Sequence, residues 1–103
     1  MIRVRFFSSG ETITGFSVCG HAGYAPYGED IVCASVSSAV QLTVNAITEI
    51  LKLPAEISAE GEEVMLMLSS QADAKNAQPF FKALHLHLEL LSQDFEKTIL
   101  FVD

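Results

Sequence analysis

The chain has 103 residues, the size of one domain, and half of them are apolar, so a core can form without disulfide staples. Six Lys and Arg stand against thirteen Asp and Glu, a net charge of −7 that argues against nucleic-acid binding and for basic partners. No run reaches the ~18 consecutive apolar residues of a membrane span, and the first residues, Met1 to Phe6, lack the apolar core of a signal peptide. A cytoplasmic protein that binds no membrane is the expectation.

Ile2 to Phe7 alternates apolar and basic residues, the period of a half-buried strand. Ser8-Ser9-Gly10-Glu11 is turn chemistry, and Thr12 to Cys19 is again β-rich, which predicts a hairpin. Residues 20–29 hold three glycines and a proline and read as a loop. A helix is predicted from Asp30, its N-cap, to Leu53, stopped by Pro54. Its polar stripe is Ser38, Gln41, Asn45, Glu49 and Lys52, and Val36, Val40, Ile47, Ile50 and Leu51 are expected to face inward. A second hairpin turns at Glu60-Gly61, and its apolar run Val64 to Leu68 reads as an inner strand. A second helix is expected from near Pro79 to about Ser92, with Phe81, Leu84, Leu88 and Leu91 inward. Thr98 to Val102 is a final strand.

The order β-β-α-β-β-α-β, with no linker or repeat, predicts a single domain over 1–103. Its class is α+β, a two-layer sandwich of two helices on one face of a five-stranded sheet. Leu86 and Leu90 fall on the outer side of the second helix, one turn apart, and suggest a symmetric homodimer.

Cys19 and Cys33 are fourteen residues apart, too few and too widely spaced for a disulfide framework or a C-x-x-C redox pair. With Asp30 as cap, Cys33 lies in the first helical turn, where the macrodipole and the N–H groups favour a thiolate. Those N–H groups could also hold an oxyanion. The topology brings His21, just past the end of the second strand, toward that helix start. A buried structural cysteine and a solvated loop histidine are the competing readings. Asp30 could orient the imidazole as well as cap the helix, and Ser37, one turn after Cys33, could bond back to a helix carbonyl. Cys19, His21 and Cys33 are also zinc-ligand types, but no fourth ligand is evident, so neither metal nor other cofactor is expected. On a helix His85 and His87 point apart and cannot chelate together.

Gly20-His21-Ala22, then Asp30-Ile31-Val32-Cys33-Ala34-Ser35-Val36-Ser37 with eleven residues between His21 and Cys33, resembles the ribosomal-processing cysteine protease Prp family. The resemblance runs over essentially the whole chain. It implies a protease that removes the N-terminal extension of a large-subunit ribosomal protein, cutting after a pair of phenylalanines. By motif, Cys33 is the nucleophile and His21 its base, while Asp30 and Ser37 match characteristic positions of less defined role. The loop with Gly20, Gly23, Tyr24, Tyr27 and Gly28 is expected to close over an apolar substrate segment. The alternative is a non-catalytic ribosome-associated module that binds the same basic tail.

Overall fold

Alternation makes Ile2–Ser9 a strand, β1, with Ile2, Val4 and Phe6 on one face and Arg3 and Arg5 on the other. Gly10, at φ 62, makes the tight turn into Thr12–Cys19, β2, which pairs antiparallel with β1. The second hairpin is Glu56–Glu60, β3, and Glu63–Met67, β4. Ile99–Val102, β5, returns parallel to β1, so the five-stranded sheet is mixed, in the order β3-β4-β2-β1-β5. These elements belong to a computed structural model that describes residues 1–23, 25–26 and 30–102.

Two helices, α1 over Ile31–Asn45 and α2 over Gln71–Asp94, complete the expected α+β two-layer sandwich. The core lies between sheet and helices. Phe16 and Phe81 are fully buried and meet edge-on, ring centres 6.2 Å apart, with Ile2, Val4, Leu66, Val32 and Leu88 around them. β4 is an inner strand, as its apolar run predicts: Leu66 and Leu68 are buried, and Met65 and Met67 half-bury on the opposite face.

Two helix boundaries differ from expectation. α1 does not continue to Leu53 as a regular helix but passes into a π-helical turn, Ala46–Ile50, in which Leu51 N donates to Ala46 O at 2.9 Å. Each residue of this wider turn advances by less than an α-helical step. Ile50 therefore swings outward, and it is 76% exposed where the α-helical period put it in the core. α2 begins at Gln71, capped by Ser70 Oγ accepting from Asp73 N at 3.2 Å, and not near Pro79. Pro79 sits exposed in the third turn, where only the bond to the Lys75 carbonyl is lost, while Ala74, Ala77 and Phe81 bury on the opposite face.

The span Ile31–Ile50 has a mean hydropathy of 1.5 and is long and apolar enough to cross a membrane. Here Val32, Val36, Val40 and Ile47 fill the core, while Leu42 and Ile50 stay exposed.

Candidate active site

Asp30 has the extended backbone of an N-cap, and its buried carboxylate organises the start of α1. Oδ1 accepts from Val32 N at 2.9 Å and Cys33 N at 3.0 Å, while Oδ2 accepts from Ala25 N at 3.2 Å. One carboxylate thus joins the helix start to the loop that carries His21. The two donations also change one expectation. The Val32 and Cys33 N–H groups are bonded to Asp30 and are not presented to an oxyanion. Among the described residues, Ala22 N stands at the thiol and donates to Cys33 Sγ at 3.2 Å.

His21 owes its position to the sheet. The β2–β4 register ends at the pair Cys19↔Glu63, so Gly20 and His21 leave the sheet beside the turn formed by Gly61 and Glu62. Gly20 has φ +93, and a Cβ there would stand 2.8 Å from Met1 O. Only glycine makes that bend without strain. Beyond it, His21 Nε2 meets Glu62 Oε1 at 2.6 Å. Glu62 is a site residue that local sequence reasoning missed, because it lies 41 positions away in a hairpin rich in glutamate.

His21, Cys33 and Glu62 converge on a groove of about 760 Å³ between α1 and the β3–β4 hairpin. Val36, Val40 and Val44 from α1 and Ile57 and Val64 from the hairpin make it largely apolar. Ser37 lines it beside Cys33, and a neighbouring cavity of about 440 Å³ shares His21, Cys33 and Ser37 and adds Gly23 and Asp30. The helix-carbonyl bond considered for Ser37 is made by Ser35, whose Oγ donates to Ile31 O at 2.7 Å. Tyr24, Tyr27 and Gly28, expected to cover substrate, lie outside the described residues. Cys19 lines the same groove, but among the described residues no three His, Cys, Asp or Glu side chains are grouped to hold a metal.

A cysteine in the first turn of a capped helix, with an imidazole in the same apolar groove, is the arrangement of a thiol hydrolase. The chain belongs to the cysteine protease Prp family, whose model matches residues 1–100, and it is a cysteine protease. The fold is similar to that of the ribosomal processing protease Prp of S. aureus with a covalently linked product peptide. That match has TM-score 0.87 and 25% identity, over 98% of this chain and 97% of that one. The same S. aureus protease with a substrate peptide matches at TM-score 0.82 and 24% identity, over 99% and 98%. SMU.848 from Streptococcus mutans matches at TM-score 0.82 and 25% identity, over 98% and 91%. No curated protein matches the chain.

Proposed function

We propose that this protease removes the N-terminal extension of a large-subunit ribosomal protein in the cytoplasm, cutting after an aromatic pair, with Cys33 as nucleophile and His21 as base. The observation that carries the reading is that His21 and Cys33 line one largely apolar groove of about 760 Å³. The S. aureus relative, seen with a substrate peptide and with a covalently linked product, supports it. The net charge of −7 suits a basic ribosomal substrate.

In this mechanism His21 takes the thiol proton, and Sγ attacks the scissile carbonyl to form a C–S bond. Ala22 N–H, already at the sulfur, is a candidate backbone donor for the developing oxyanion. The tetrahedral adduct collapses by breaking the C–N bond, and the imidazolium gives its proton to the departing amine. Water, deprotonated by His21, then attacks the thioester, and the C–S bond breaks to release the extension as an acid. The proposal extends to assembly. Leu86 and Leu90, one turn apart on α2, are 56% and 51% exposed, an apolar surface suited to a symmetric homodimer.

The test is mass spectrometry of a peptide spanning the extension and the start of the mature ribosomal protein, incubated with this protein and with Cys33→Ala. The expected result is one cut after the aromatic pair, lost in the variant. Cutting by Cys33→Ala at the wild-type rate would overturn the nucleophile. No cut by either protein would overturn the substrate and cut site proposed for this protease.

A further inference from the structure

We infer that Glu62 is a positioning residue for His21, completing a Cys33–His21–Glu62 relay across the groove. The inference rests on the reading of His21 as the base. Its first support is the contact itself, 2.6 Å between His21 Nε2 and Glu62 Oε1. An ionised carboxylate only accepts, so Nε2 carries the ring proton and Nδ1 is the basic nitrogen of the neutral imidazole. That assigns Nδ1 to the exchange with Cys33. When the thiol proton arrives there, the imidazolium forms against a carboxylate already aligned with its other nitrogen.

The second support is that the contact is built by the fold and is not a chance meeting of two long side chains. His21 follows the bend at Gly20, which sits at φ +93 against the Met1 carbonyl. Glu62 occupies the β3–β4 turn, whose geometry is set by Gly61 at φ 59. The β2–β4 ladder carries both segments out of the same end of the sheet, with Cys19↔Glu63 as its last pair. The third support is place: Gly61 and Glu62 line the same groove as His21 and Cys33. The side chains are 46% and 61% exposed, so a bound substrate segment would be needed to exclude water and strengthen the contact.

Three kinds of variant separate the possibilities, read by the kcat and KM of peptide cleavage. Glu62→Gln keeps an oxygen acceptor for Nε2–H and loses the charge, and Glu62→Leu loses both. Positioning predicts that kcat falls by about 10-fold or more in Glu62→Leu, a part of what general base catalysis supplies. The loss should be smaller in Glu62→Gln, with KM little changed in both. In a His21→Ala background, Glu62→Leu should bring no further loss, because the two act as one unit. A raised KM with wild-type kcat would overturn positioning and make Glu62 a contact for the basic substrate. A raised kcat in Glu62→Leu would overturn it in favour of a contact that holds His21 in a resting state. Unchanged Glu62 variants beside an inactive His21→Ala would refute the relay alone, whereas wild-type cleavage by His21→Ala would refute the base. Far-UV circular dichroism checks that each variant is folded.

Discussion

Among the described residues, the Asp30 side chain, at 7% exposure, caps α1 through Oδ1 and is tied to Ala25 through Oδ2. Removing a good N-cap costs roughly 1–2 kcal/mol, and Asp30→Ala would in addition leave the Ala25 N–H without this acceptor. Denaturant unfolding of Asp30→Ala should give a loss at or above the upper end of that range. Asp30→Asn, which caps nearly as well, should lose less. Equal stability of wild type and Asp30→Ala would mean that the cap is replaced by another group. The residue types at this site were readable in the sequence because their constraints are local. Asp-x-x-Cys specifies a cap and a first-turn thiol, and Gly20 specifies a bend. Glu62 was not readable, because its meaning depends on the β2–β4 register and on nothing in its own neighbourhood. The same holds for Ala22, whose backbone N–H is assigned to the thiol only by the path of the loop.

Elements obey the same division between local and tertiary causes. Hairpins, strand alternation and the first helix start follow from local pattern, whereas the two errors in helix extent come from competing rules. The periodicity of α1 misplaced Ile50 because a π-helical turn interrupts it, and Pro79 imitated a helix start while lying in the third turn of α2. The residue beside that proline holds the sheet. Between Phe7 and Ser8 the β1–β2 register shifts, which leaves Thr14 as the extra residue of a bulge. Gln78 of α2 meets the backbone there: Ile13 N donates to its Oε1 at 3.0 Å, and its Nε2 donates to Ile13 O at 2.7 Å. The same Nε2 also donates to Ala74 O at 2.7 Å. Gln78→Ala would remove both partners from a half-buried strand segment, and leaving buried polar groups unpaired costs roughly 1–3 kcal/mol each. Partial solvent access reduces that, so a loss of about 2 kcal/mol is expected in denaturant unfolding. Hydrogen exchange at Ile13 should accelerate with it. An Ile13 amide protected as in wild type would sink this role for Gln78.

The molecule keeps its candidate chemistry on one side of α1, while exposed leucines stand on α1 and α2 away from it. The groove runs along Cys33, Val36, Val40 and Val44, whereas Ser38, Leu42, Ala83 and His87 line a separate depression between the outer sides of α1 and α2. Leu42, at 71% exposure, lines that depression, and Leu86 and Leu90 stand exposed on the side of α2 away from its buried residues, apolar surface of the kind that marks a partner contact. The proposed occupant is a second copy of this chain, because a two-fold axis would set the same α2 surface of each protomer against the other. Charging this face should separate the copies without disturbing the core, because Leu86 and Leu90 lie opposite the buried Phe81, Leu84 and Leu88. On the proposed homodimer, the wild type sediments as a dimer and the Leu86→Glu, Leu90→Glu double variant as a monomer at the same concentration. Its unfolding midpoint should then lose the protein-concentration dependence expected of the wild-type dimer. A wild-type protein that sediments as a monomer at all concentrations would end the dimer proposal. A double variant that remains dimeric would move the interface to the open face of the sheet, where Arg3, Arg5 and Leu100 of neighbouring strands stand exposed.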